Sequence, residues 1–106
     1  MKIVVLKFGG TSVGSTDRIK KVANIITSFV KKKYKVIVTS SAMSGVTNDL
    51  VKKSREISND FKSDEYDVLL SSGEQMSSSL IAGNLNELGY KSVSYTHLTL
   101  PTIYSV

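Results

Sequence analysis

The chain has no cysteine and no tryptophan, and only one proline and one histidine in 106 residues; Arg18 and Arg55 are its only arginines. Without cysteine there is neither a disulfide framework nor a thiolate metal site. The single proline, with a charged fraction of 22% and a hydrophobic fraction of 41%, argues against disorder and suits a globular core. No apolar run is long enough to span a bilayer, and the amino terminus lacks the charged, apolar and small-residue order of a signal peptide. These absences lead to the expectation of a cytoplasmic protein. At this length the chain is one small domain or part of a larger one.

The formal net charge is +5 and its lysines are unevenly spread. Lys31, Lys32, Lys33 and Lys35 fall at the end of the first predicted helix, where positive charge complements the helix dipole and stays solvated. A nucleic-acid surface calls for arginines with interleaved aromatics, which this chain lacks. Neither nucleic acid nor membrane is expected as a partner. An anionic small molecule such as a nucleoside triphosphate suits the charge equally well.

What is present is organised around Lys7-Phe8-Gly9-Gly10-Thr11-Ser12. An apolar, β-branched run from Lys2 to Leu6 precedes it and reads as a buried strand. An amphipathic helical pattern begins near Ser15. A strand, a glycine pair and a helix start are the parts of an anion site, because glycine lets backbone amides approach an oxyanion and a helix start favours negative charge. Lys7 adds a mobile cation at the strand's carboxyl end, where open α/β sheets bind ligands. The spacing fits neither common phosphate motif. Gly9 and Gly14 have the separation of a Walker A loop, but Ser15 and Thr16 follow where lysine is needed, and Gly9-Gly10 are adjacent rather than alternating. Read alone, the segment is either a phosphate cradle or a turn that uses glycine only for its backbone angles.

Ile19, Val22, Ala23, Ile26, Phe29 and Val30 recur at helical spacing, with Ser15 or Thr16 as cap and Asp17 in the first turn. Tyr34 to Thr39 reads as a second buried strand, giving a right-handed βαβ unit with a parallel pair. The fold class is therefore α/β. The second strand runs into Ser41-Ala42-Met43-Ser44-Gly45-Val46-Thr47, another small, hydroxyl-rich loop, and parallel pairing brings it to the same sheet edge as the Lys7 loop. Thr47 or Asn48 could cap the helix that follows, from about Thr47 to Ser58, as well as bind a ligand. A short helix is predicted from Asp64 to Ser72. A polar break at Ser71-Ser72-Gly73-Glu74 then opens a longer helix with Met76, Leu80, Ile81, Leu85 and Leu88 on its buried side and Gly89 as its stop. Glu74 either complements a helix start or pairs with a cationic substrate group. A third strand is predicted to begin at Lys91 to Ser94.

Three motifs in this order, Lys7-Phe8-Gly9-Gly10-Thr11-Ser12-Val13, Ser41 to Thr47, and Ser72-Gly73-Glu74-Gln75, resemble the N-terminal part of bacterial aspartate kinases, within the amino-acid kinase family. The similarity covers Met1 to about Ser94. It implies a three-layer αβα sandwich with a mainly parallel sheet, and transfer of the ATP γ-phosphoryl group to the side-chain carboxylate of L-aspartate, the first step toward lysine, threonine and methionine. It also implies roles for residues. Lys7 would contact the ATP phosphates and stabilise the transferring group. Phe8, Gly9, Gly10 and Ser12 would belong to the phosphate loop, Ser41 to the nucleotide side, and Thr47 and Glu74 to the aspartate side, with Glu74 taking the α-ammonium group. Mg²⁺ would travel with ATP as co-substrate, since no protein ligand for it stands out; Asp17, Asp49 and Asp67 read as surface or capping residues. His97 receives no role.

From Tyr95 the chain departs from the family pattern, and residues 95–106 are expected to be a non-family, artefactual tail. The rest of the kinase domain and the regulatory ACT domains are expected to be missing, leaving a fragment inactive alone whose parent is a homo-oligomer. Three alternatives stand beside this reading: another amino-acid kinase, a bifunctional aspartate kinase–homoserine dehydrogenase, and a non-catalytic nucleotide-binding module. Lys7 with Glu74 weighs against the last, because a pure nucleotide binder needs no amino-acid clamp.

Overall fold

The computed structural model describes residues 2–61 and 63–95. Its elements run β1 (Ile3–Phe8), α1 (Thr16–Lys31), β2 (Lys35–Ser40), α2 (Val46–Ile57) and α3 (Ser63–Glu87). The α/β class is as read from the sequence. β1 and β2 pair in parallel, Ile3 opposite Lys35 through to Phe8 opposite Ser40, so both strands end at one level. Each strand starts and ends one or two residues later than its apolar run suggests, which places Lys7 and Phe8 within β1 rather than after it.

The strands alternate between half-buried and exposed positions rather than being buried on both faces. Val36, Val38, Leu6 and Phe8 pack on a core built from α1 and α3, chiefly Val22, Ala23, Ile26, Ile81 and Leu85. On the opposite face Ile3, Val5 and Ile37 are 63%, 62% and 51% exposed. The described residues thus supply the sheet and one helical layer of the expected sandwich.

Ser15 caps α1, its hydroxyl accepting from the Arg18 amide at 3.2 Å with Asp17 in the first turn. Ile19, Val22, Ala23 and Ile26 form the buried stripe that the spacing predicts, joined by Thr27, whose hydroxyl donates to the Asn24 carbonyl. The chain then turns sharply into β2: Lys33 adopts a left-handed φ of 71°, and the amides of Lys32, Lys33 and Tyr34 donate to the Phe29 and Val30 carbonyls. Phe29 and Tyr34 meet edge to face across this turn.

Four sequence expectations are corrected. Helix α2 is entered through Gly45, at φ 86° and without a side-chain cap, so neither Thr47 nor Asn48 caps it. Helix α3 is one 25-residue element, not two, and Ser71-Ser72-Gly73-Glu74 lies inside it. Its buried line is Gly73, Ser77, Ile81 and Leu85, while Met76, Leu80 and Leu88 are exposed. Finally, residues 91–95 form no strand. Asn86 takes both backbone groups of Ser92, accepting from its amide at 2.7 Å and donating to its carbonyl at 3.2 Å, which removes them from any ladder. The tail beyond Tyr95, with His97, lies outside the described residues.

Replacing Ser15 by Ala should cost about 1 kcal/mol through loss of the cap. Urea unfolding followed by far-ultraviolet circular dichroism measures this, and Ser15→Asp should retain most of the stability.

Candidate active site

Both strands deliver their following loops to the same edge of the sheet, and backbone bonds fasten those loops together. The Ser41 amide donates to the Phe8 carbonyl at 3.0 Å, and the Ser44 amide to the Gly10 carbonyl at 3.2 Å. The glycines divide the work between them. A Cβ on Gly10 would stand 3.0 Å from the Ala42 carbonyl oxygen, so this position allows the close approach of one loop to the other. A Cβ on Gly9 would meet nothing within 4 Å, which leaves the backbone there approachable from outside.

After the glycines the chain turns over itself. The Gly14 amide donates to the Thr11 carbonyl, which also accepts from the Arg18 guanidinium at 3.1 Å, and Val13 is wholly buried beneath. Lys7 and Ser12 remain exposed above this base. Lys7 sits opposite Thr39, on the uncovered face of the sheet, while Phe8 points into the core.

Helix α3 closes the arrangement from the other side. The Ser77 hydroxyl, fully buried, donates to the Ser41 carbonyl at 2.7 Å, and Ser40 lies 3.3 Å from the hydroxyls of both Ser77 and Ser78. Glu74, one turn earlier and exposed, lines a cleft of about 870 Å³ together with Thr39, Ser40 and Ser78. Because Glu74 lies mid-helix, a dipole-complementing role at a helix start is excluded for it. Thr47 is exposed in the first turn of α2 and touches this group least directly. It adjoins Val46, whose side chain lies against Gly73 and so neighbours Glu74.

The structure therefore links the Lys7 loop to the Ser41 loop, and the Ser41 loop to the Glu74 helix. Sequence reasoning missed Ser40, Ser77 and Ser78 as the fastening between them, and Arg18 as a brace for the first loop. The run of three serines within a helix was the available signal, since hydroxyls that could have been apolar contacts require partners when buried. Among the described residues no group of three or more His, Asp or Glu side chains is placed to hold a metal ion, and no helix is long and apolar enough to cross a membrane.

Comparison with known proteins bears on the family and the fold. The sequence profile of the amino acid kinase family matches residues 2–102. The chain is 51% identical over 96 residues to an aspartokinase of Geobacillus stearothermophilus, covering 91% of this chain and 24% of that protein. It is 47% identical over 106 residues to an aspartokinase of Rickettsia felis, covering 97% of this chain and 26% of that one. The chain thus spans about a quarter of the length of these curated relatives. Among solved structures, an aspartate kinase from Synechocystis superposes with a TM-score of 0.78 at 42% identity, over 81% of this chain and 15% of that chain.

The position that admits α3 to the Ser41 loop is Gly73. A Cβ there would fall 2.9 Å from the Ala42 Cβ, which is fixed by its backbone, and 3.2 Å from Val46 Cγ1, which moves only by a change of the stiff valine χ1. Gly73→Ala should therefore destabilise the fold by about 1–3 kcal/mol, although alanine is the better helix former. Chemical denaturation of the two proteins side by side reads the difference; a gain in stability would contradict the close packing.

Proposed function

The chain belongs to the amino acid kinase family, and from that premise we propose that it forms the N-terminal, phosphate-handling part of an enzyme that transfers the γ-phosphoryl group of ATP to the side-chain carboxylate of L-aspartate. The observation that carries this reading is the joining of three segments at one sheet edge: the Lys7–Ser12 loop, the Ser41–Thr47 loop and the Glu74 turn of α3. The naming of the relatives as aspartokinases supports the choice of acceptor.

Phosphoryl transfer asks a protein chiefly for positioning and for stabilisation of negative charge spread over the transferring group. Lys7 supplies a full positive charge at the end of β1. The open backbone at Gly9 allows an oxyanion to approach amides, and Ser12 adds a hydroxyl donor beside them. Gly10 keeps the Ser41 loop close, so that the Ser41 hydroxyl borders the same phosphates. Mg²⁺ enters with ATP as part of the substrate. The acceptor carboxylate has a reference pKa of about 3.9 and is ionised near neutral pH, so it attacks without a general base. Glu74 pairs with the α-ammonium group of aspartate, and Thr47 contributes a hydroxyl on that side. One carboxylate thus fixes the amino-acid end while the other is left free to react.

The test uses a full-length enzyme in which residues 2–95 of this chain replace the matching segment of the Geobacillus stearothermophilus aspartokinase. It should phosphorylate aspartate. Lys7→Ala should lower kcat by about a hundredfold or more, the scale of losing a donor to developing negative charge. Near-normal turnover would remove Lys7 from the chemistry. Glu74→Gln should raise the KM for aspartate about ten- to a hundredfold, as expected for a charge-assisted contact, and leave the KM for ATP nearly unchanged. A change confined to the ATP dependence would reverse the assignment of Glu74.

A further inference from the structure

We propose that Ser77 is a positioning residue that sets the Ser41 loop between the two substrate subsites, an inference that rests on the phosphoryl-transfer function above. Ser77 is fully buried and makes its shortest contact, 2.7 Å, across elements to the Ser41 carbonyl. Its own Glu74 carbonyl is farther, at 3.2 Å, and Ser40 Oγ lies at 3.3 Å. A hydroxyl has one proton to give. With that proton on the shortest contact, Ser77 is left to accept from Ser40, and Ser40 to accept from Ser78 at 3.3 Å. The hydroxyls then form a single directed chain, Ser78 to Ser40 to Ser77 to the Ser41 carbonyl, with each proton used once.

This chain holds Ser41 from one side while β1 holds it from the other, because the Ser41 amide donates to the Phe8 carbonyl. Both backbone groups of Ser41 are therefore committed, and only its hydroxyl is left for a ligand. Ser77 lies one helical turn after Glu74. The same stretch of α3 thus carries the proposed ammonium partner and anchors the proposed nucleotide loop. Slack in this bond would change the separation of γ-phosphoryl donor and acceptor carboxylate without removing any group that binds either substrate. Ala at position 77 retains Lys7 and Glu74 and loses the registration between them.

The experiment measures steady-state kinetics for Ser77→Ala in the full-length chimera, with thermal unfolding of the same preparation and assays run well below its melting midpoint. The expected result is a fall in kcat of about 10- to 100-fold, the scale of a small misplacement of reacting groups, with both KM values within about threefold of the parent. Ser77→Cys, similar in volume but a weak donor, should fall between parent and Ala. An unchanged kcat in the folded variants would overturn the inference, as would a loss appearing only in the KM for aspartate. Failure of both variants to fold would also overturn it, by making Ser77 purely structural. These outcomes are separable from failure of the functional reading. An unsubstituted chimera that does not phosphorylate aspartate, or is indifferent to Lys7→Ala, refutes that reading itself. A chimera that is active and Lys7-dependent but insensitive at Ser77 refutes only the positioning role.

Discussion

Everything at the candidate site depends on two strands running parallel with no offset between their ends. Phe8 faces Ser40 across the pair, so each strand releases its chain at the same height. An antiparallel pair would send the two loops to opposite edges of the sheet. A slip of one residue would turn Lys7 toward the core and Phe8 toward solvent, since side chains alternate along a strand. The register is defended by burial: Leu6, Phe8, Val36 and Val38 all pack on the same core. It is then extended past the strands by the Ser41 amide on the Phe8 carbonyl. The hydrophobic packing of the sheet and the placement of the Lys7 charge are consequences of one alternation.

The third member of the site reaches that edge by a different kind of packing. Helix α3 presents glycine and serine, not leucine, where it meets the Ser41 loop. Gly73 brings its backbone against Ala42, and Ser77 replaces apolar contact with a directed hydrogen bond. Burying a hydroxyl is unfavourable unless it is bonded, and no buried side-chain polar atom among the described residues lacks a partner. Such contacts contribute less by area than a leucine would. They do set one distance and one orientation, which matters more at a site proposed to bring two substrates together. Farther along the same face, Ile81 and Leu85 return to ordinary core packing against α1.

This division explains which features were legible in the sequence. The strand pair and α1 announce themselves through β-branched runs and a 3.6-residue apolar period, and Ser15 marks the helix start. The three motifs carry the family resemblance because their residue types and order are particular. What escaped was the interior of α3. Ser71, Ser72 and Gly73 resemble a break between helices, yet the hydroxyls of Ser71 and Ser72 donate back to the Val68 and Leu69 carbonyls and the helix passes through. Hydrophobicity places Met76, Leu80 and Leu88 inside, whereas the helix buries its smallest side chains at one end and exposes those three. A pattern of apolar residues cannot report a surface whose purpose is close approach. Where a third strand is expected, a single Asn86 side chain instead captures both backbone groups of Ser92, a contact that no residue pattern announces.

The uncovered face of the sheet bears on the chemistry as well as on the architecture. Lys7 and Thr39 stand on that face in line with Ile3, Val5 and Ile37, so the charge proposed to meet phosphate adjoins the most exposed apolar surface of the strands. Open to water, an ammonium group interacts weakly with a phosphate, because the high dielectric and the counterions of solvent screen it. A second helical layer laid on Ile3, Val5 and Ile37, as the three-layer architecture requires, would bury that apolar surface and also lower the dielectric on one side of Lys7. The hydrophobic drive to complete the sandwich and the electrostatic strength of the proposed phosphate site are then coupled through the same face. The interaction proposed between Lys7 and phosphate therefore strengthens with coverage of Ile3, Val5 and Ile37, the exposed apolar residues that share its face of the sheet.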